Sequence, residues 1–146
     1  MKSLIPVLLA LAVSGSAAAA EKKIQMKDLP AAVQKAVHEE EMKGATVKNI
    51  LAEKEGGQTV YEVETMIGGH TRDLILDATG KVLESEEEIS IDAVPAPVKA
   101  ALEASGKVIK VEALTKGAHV TYEAQVEKNG KKSGVTVDAA GKRVKS

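Results

Sequence analysis

The stretch YEVETMIGGHTRDLILDATGK, residues 61–81, returns as YEAQVEKNGKKSGVTVDAAGK at residues 122–142, a constant offset of 61. Tyr61-Glu62-Val63 matches Tyr122-Glu123-Ala124, Gly69 matches Gly130, and Asp77-Ala78-Thr79-Gly80-Lys81 matches Asp138-Ala139-Ala140-Gly141-Lys142. Each copy alternates apolar and polar residues and is broken by short glycine turns, the pattern of antiparallel strands joined by hairpins. Gly56-Gly57, Gly68-Gly69, Gly117-Ala118 and Asn129-Gly130 read as two-residue hairpin loops, in which Gly-Gly and Asn-Gly supply positive φ. Asp77 and Asp138 open three-residue loops that end in glycine, the pattern of a type I turn with a glycine bulge. These loops lack the alternating acids of a calcium loop.

Two-residue loops fix the register by counting. Tyr61 falls opposite Ala52 and Leu76, and Val63 opposite Ile50 and Leu74. In the second copy Tyr122 falls opposite Ala113 and Val137, and Ala124 opposite Val111 and Val135. One face of each sheet is therefore apolar in both copies, and a slip of one residue would turn that whole set outward.

Working upstream, each copy opens with a short extended segment, Ile24-x-Met26 or Ile89-x-Ile91, followed by Leu29-Pro30-Ala31-Ala32-Val33 or Val94-Pro95-Ala96-Pro97-Val98, at an offset of 65. Leu29, Val33, Ala36 and Val37 recur at helical spacing, as do Val94, Val98, Ala101 and Leu102. The spacing predicts amphipathic helices over about residues 29–43 and 94–105, with Asp28 and Asp92 as N-terminal caps and proline tolerated in the first turn. The first helix is expected to be longer by four residues, which accounts for the change of offset. The fold class is α+β, a tandem repeat of one helix and a four-stranded antiparallel meander. The greasy sheet face is expected to receive the helix, and the two copies to form one compact unit, the alternative being two beads on an acidic connector from Glu84 to Glu88.

Residues 1–20 read as a signal peptide: Lys2, an apolar run from Leu4 to Val13, a break at Ser14-Gly15 and an A-x-A site at Ala18-Ala19-Ala20. Cleavage after Ala20 releases a periplasmic or secreted chain with no membrane attachment; the copies then span residues 21–88 and 89–146. The sequence has no cysteine, which excludes disulfides, thiolate metal sites and a lipidated cysteine. With no Phe, no Trp and two Tyr, the core must be aliphatic.

Charge is uneven. Residues 21–88 carry 9 basic and 15 acidic side chains, a net of −6, whereas residues 89–146 carry 10 basic and 6 acidic, a net of +4. A nucleic-acid surface needs a concentrated basic patch with stacking aromatics, which this chain lacks. His38, His70 and His119 have no second ligand at zinc spacing. Glu62 and Glu123 recur, but they fall on the outer face with nothing in the sequence to perturb them. The runs Glu39-Glu40-Glu41 and Glu86-Glu87-Glu88 read as a solvated helix end and a solvated connector. No nucleophile–base set, zinc motif, phosphate loop or dinucleotide fingerprint is present, so no enzyme, cofactor or metal centre is expected.

The outer faces differ between copies. In the second it reads as polar, with Lys110, Glu112, Thr121, Glu123, Gln125, Glu127 and Lys132. In the first it mixes Val47, Leu51, Val60, Met66 and Ile75 with Glu53, Glu62, Glu64, Asp73 and Asp77. Several apolar residues sharing one sheet face invite an explanation: the face packs on the other copy, or it binds a partner. The candidate partner-binding set is Val47, Leu51, Val60, Glu62, Glu64, Met66, Asp73 and Ile75.

Leu29-Pro30-Ala31-Ala32-Val33 opening a helix, Tyr61-Glu62-Val63 in a strand and Leu76-Asp77-Ala78-x-Gly80-Lys81-Val82 closing the unit resemble the PepSY-like family of small exported bacterial proteins, which have a beta-lactamase-inhibitor-protein-like fold. Both copies match, so the resemblance covers essentially the whole mature chain. It implies a repeated helix and four-stranded antiparallel sheet in the cell envelope. Related PepSY domains accompany peptidase propeptides and restrain peptidases, and the inhibitor relatives grip their enzyme with the exposed sheet face. Interface hot spots favour Trp, Tyr and Arg, and both tyrosines here are expected to face inward, which argues against a tight lactamase inhibitor. The expected function is a non-enzymatic periplasmic binding or regulatory module acting through an exposed sheet face, with an envelope protein or peptidase as partner. The alternative is a small-ligand or metal-cation binder using the acidic face of the first copy. The oligomeric state is left open.

Overall fold

A computed structural model describes residues 21–145. The expected signal peptide at 1–20 lies outside the described residues. The chain forms one antiparallel sheet whose eight strands lie in sequence order: β1 (Lys22–Lys23), β2 (Thr46–Glu55), β3 (Gln58–Ile67), β4 (His70–Asp77), β5 (Val82–Ile89), β6 (Lys107–Lys116), β7 (His119–Lys128) and β8 (Lys131–Asp138). Helix α1 (Ala31–Met42) precedes β2, and helix α2 (Ala96–Ser105) precedes β6.

The counted register is the observed one. Tyr61 pairs with Ala52 and Leu76, Val63 with Ile50 and Leu74, Tyr122 with Ala113 and Val137, and Ala124 with Val111 and Val135. The turns enforce it: Gly56-Gly57, Gly68-Gly69 and Asn129-Gly130 all hold positive φ at both residues, the geometry that matches the twist of the flanking strands. The alternation then buries two aliphatic clusters against the helices. Val33 and Val37 of α1 meet Ile50, Tyr61, Val63, Leu74 and Leu76, while Val98 and Leu102 of α2 meet Val111, Ala124, Val126, Val135 and Val137. Tyr122 packs against the second cluster from its margin.

The Asp-Ala-x-Gly loops do more than reverse the chain. The Asp77 carboxylate accepts from the backbone N–H of Thr79 at 2.8 Å and of Lys81 at 3.2 Å; Asp138 accepts from Ala140 at 2.9 Å and Lys142 at 3.0 Å. Gly80 and Gly141 both have φ +80°, and a Cβ on either would collide with the carbonyl oxygen of Ala32 or Pro97 in the first turn of the helix. The two repeated motifs, helix start and closing turn, are thus the two sides of one backbone contact.

Four expectations need correction. Asp28 and Asp92 do not cap the helices: a single 3-10 turn (Met26–Asp28, Ile91–Ala93) holds each of them back, and the caps are Pro30 and Pro95, which offer no side-chain acceptor. Asp92 instead accepts from Lys99 Nζ at 2.6 Å. The four extra residues of the first copy do not all lie in its helix, since α1 has 12 residues against 10 in α2 and the rest sits in the connection before β2. The second copy has a helix and three strands; where a fourth strand was expected there is an isolated bridge between Val137 and Arg143 and one bond from Val144 N–H to Thr136 O at 3.0 Å. Finally, the acidic run Glu84–Glu88 is no connector but the body of β5, paired to β4 on one side and β6 on the other. That pairing makes the two halves one continuous sheet.

Among the described residues, no helix is long and apolar enough to cross a membrane. α1 buries one carboxylate: Glu40 is 7% exposed and pairs with Arg72 of β4 and with Lys43 at 2.7 Å. Arg72 therefore ties the end of α1 to the sheet.

Candidate functional site

Both helices lie on one face of the sheet, and among the described residues nothing covers the other. Strand alternation decides what it shows. In β3 the outward residues are Val60, Glu62, Glu64 and Met66, because Tyr61, Val63 and Thr65 point to the helix side, where they are buried. Leu51 and Ile75 flank Glu62 in register, and Asn49 and Asp73 flank Glu64. Asn49 Nδ2 donates to Glu64 at 2.6 Å.

Seven of the eight candidate residues belong to this face; Val47 does not. A β-bulge between Val47 and Asn49 gives β2 one extra residue, so Val47 pairs with Thr65 and packs against the first core. The same bulge recurs between Val108 and Lys110 of β6, sending Val108 to the second core and leaving Ile109 exposed. Val60 is buried at 5% exposure and belongs to neither core cluster, which makes it a weak contact residue.

The register brings more carboxylates to the face than the candidate set holds. Glu84 lies beside Ile75, and Glu86 beside Asp73 and Leu114. Glu112 pairs with Glu88 and Glu123. The result is a row of acids that crosses from the first copy into the second. A shallow cleft of about 140 Å³ opens in it, lined by Ile75 and the carboxylates of Glu21, Glu53, Glu55, Glu62, Asp73, Glu84 and Glu86. Glu21, Glu53 and Glu62 can bring carboxylate oxygens within 4.8 Å of one another.

This crowding shows in the acidities. Partial burial, then the charges of Glu53, Glu64, Asp73 and Glu21, lift the Glu62 carboxyl to about 7. Burial and the charges of Glu112, Glu84, Asp73 and Glu123 lift Glu86 to about 7. Asp73 rises to about 6, chiefly through burial, although the Thr65 N–H that it accepts at 3.2 Å opposes the rise. Glu53 and Glu123 are also raised, in each case first by burial. Two lysines offset part of this charge: Lys110 pairs with Glu112 and Glu88 and opposes the rise at Asp73 and Glu123, and Lys116 pairs with Glu84 at 3.3 Å. The expectation that nothing perturbs Glu62 and Glu123 therefore fails: burial in the sheet raises both, and strand pairing then adds the charges of Glu53, Glu64 and Asp73 beside Glu62 and of Glu112 beside Glu123.

Residues 29–86 match the family model of the peptidase propeptide and YPEB domain, PepSY. That span runs from Leu29, just ahead of α1, to Glu86 in β5. A comparison with curated proteins finds no match. Among solved structures the chain is similar to a DUF2874 family protein from Bacteroides ovatus, at 16% identity and a TM-score of 0.60 over 80% of this chain and 85% of that one. It is also similar to a BLIP-like protein from Bacteroides fragilis, at 24% identity and a TM-score of 0.57 over 78% and 82%. A third, described as a candidate periplasmic protein, comes from Bacteroides eggerthii, at 19% identity and a TM-score of 0.61 over 80% and 86%. At such identities the likeness is one of fold. The family resemblance carried by the motifs holds: the fold is PepSY-like and BLIP-like.

Proposed function

We propose that this protein is a non-enzymatic binding module of the bacterial envelope that engages another protein through the uncovered face of its sheet. One observation carries this reading. Among the described residues, an eight-stranded sheet with both helices on one side leaves the other side without a covering layer, and that side interleaves Leu51, Met66, Ile75 and Leu114 with half-buried carboxylates. Sheets normally bury an apolar face, and a mixed face of this breadth has the makeup of a protein contact surface. The PepSY match and the BLIP-like neighbour support a protein partner, and an envelope peptidase is the class we favour. The candidate contacts are Leu51, Glu62, Glu64, Met66, Asp73 and Ile75. Cleavage after Ala20 would deliver the chain, as two PepSY-like copies at 21–88 and 89–146, to the periplasm or beyond.

The test is site-specific photocrosslinking in cells. A photoreactive side chain at Glu64 or Thr121, on the sheet face, is expected to capture a protein, whereas the same group at Lys35 or Ala100, on the helices, captures none. Equal capture at all four positions, or none at the sheet positions, sinks the reading. A second reading, a bound cation, is favoured by the convergence of Glu21, Glu53 and Glu62. Calcium takes six or more oxygen ligands, so calorimetric titration of the mature chain with calcium decides it: heat of binding that Glu53→Gln removes supports a cation site, and no heat disposes of it.

A further inference from the structure

Resting on the sheet face as a docking surface, we infer that its partner presents a cationic polypeptide segment in which lysines or arginines are interleaved with apolar residues. The charge balance of the face points there. Among the described ion pairs, none involves Glu62, Asp73 or Glu86. These three sit on adjacent strands, β3, β4 and β5, with Asp73 directly opposite Glu86. All three are only partly exposed, so much of their desolvation has been met in folding. A cation arriving there interacts at reduced dielectric, where a charge pair is several times stronger than in open water.

The apolar residues set the second half of the pattern. Leu51 and Ile75 bracket Glu62 in register, and Leu114 adjoins Glu86. An occupant must therefore place small apolar groups within a few ångströms of its cations, which a lysine-bearing or arginine-bearing polypeptide does and a bare metal ion does not. Acidic peptides and nucleic acids are repelled by the same row. Complementary charge of this kind governs which partner is admitted and how fast it arrives.

The experiment uses the chain from Glu21 onward, which contains both cores, and a fluorescent peptide of alternating lysine and valine followed by anisotropy. Peptides with glutamate or serine in place of lysine are the controls. The lysine peptide is expected to bind, and more weakly as salt rises to about 0.15 M, where charges are screened beyond about 8 Å. The triple variant Glu62→Gln, Asp73→Asn, Glu86→Gln is expected to weaken binding by about ten-fold or more, with a melting temperature no lower than that of the parent. Removing as many charges from the helix side, with Glu39→Gln, Glu41→Gln, Glu103→Gln, is expected to change it by less than about two-fold. Equal weakening by both variants means general attraction to an acidic protein and overturns the inference. So does equal binding of the serine peptide, or no binding of the lysine peptide. Self-association of the chain that the first triple variant abolishes would assign the face to a second copy instead. The underlying reading fails separately: a protein crosslinked at Glu64 while the lysine peptide is ignored removes only the cationic chemistry.

Discussion

Glu62→Gln should stabilise this protein, by an amount that grows as pH rises from about 4.5 to about 7 and then levels off. Folding lifts the Glu62 carboxyl from 4.5 to about 7, mainly by burial and then through Glu53, Glu64 and Asp73. A raised carboxyl favours the protonated folded form. Its contribution to stability is therefore fully present below about pH 4.5, is lost as pH rises through about 7, and ends as a penalty for the charged form. At about 1.4 kcal/mol per pH unit the upper bound is about 3 kcal/mol; Glu62 is half in solvent, and screening reduces this to about 1–2 kcal/mol. Glutamine keeps the shape and drops the charge. At about pH 8 the variant is expected to gain about 1–2 kcal/mol, or several degrees in melting temperature for a domain of this size, while at about pH 4.5 the two proteins melt together. Urea unfolding across that pH range, with both slopes compared, measures it. An equal gain at both ends, or a loss at about pH 8, would mean that Glu62 is not crowded by its neighbours and that the acid row is a drawing on paper.

Gly141→Ala should cost about 2–4 kcal/mol, since it adds a collision with the Pro97 carbonyl to the strain of positive φ. Gly130→Ala, with a similar φ but open space around it, should cost only about 1 kcal/mol; equal losses in thermal melts would refute the turn–helix contact. Val63→Asp, at a side chain with no exposure, should prevent folding at room temperature by circular dichroism, whereas Glu62→Lys should be tolerated. If the two behave alike, the register is wrong. Arg72→Ala leaves Glu40 buried with only Lys43 beside it and should destabilise by about 2–4 kcal/mol, against less than about 1 kcal/mol for Lys43→Ala; chemical denaturation separates the two.

The register was legible because it is a local quantity. A two-residue glycine turn admits one pairing, and the pairing then decides the faces of both strands, so Tyr61, Val63, Tyr122 and Ala124 could be placed by counting. Counting failed at Val47 because it assumes strict alternation up a strand. The signal was present: Val47 and Ile50, like Val108 and Val111, are apolar at a spacing of three, which cannot both face inward without an inserted residue. That this odd spacing repeats at the offset of the two copies marks the bulge as a feature of the unit. The aspartate caps failed for a related reason. Asp28 and Asp92 lie within 3-10 turns ahead of the helices, and such a turn has no composition of its own to announce it.

The site was legible only as far as one copy reaches. Glu62, Glu64 and Asp73 come from a single hairpin and could be grouped by register, but Glu84, Glu86, Glu112 and Glu123 join them only through the pairings of β5 with β4 and β6. Had the acidic run been a solvated tether between two beads, Glu86 would stand in water at an ordinary carboxyl pKa, and the face of the first copy would end at β4. Instead Glu86 is lifted to about 7, first by its burial in the joined sheet and then by the charges of Glu112, Glu84, Asp73 and Glu123, which come from both copies. The crowded surface is thus a product of fusing the two sheets, and neither copy alone contains it. It follows that cutting the chain within β5, so that its ladder to β6 is lost, should return Glu86 toward the ordinary carboxylate range. A carboxyl titration followed by carbon-detected NMR would register that return, and an unmoved Glu86 would mean that its acidity is set within β5 itself.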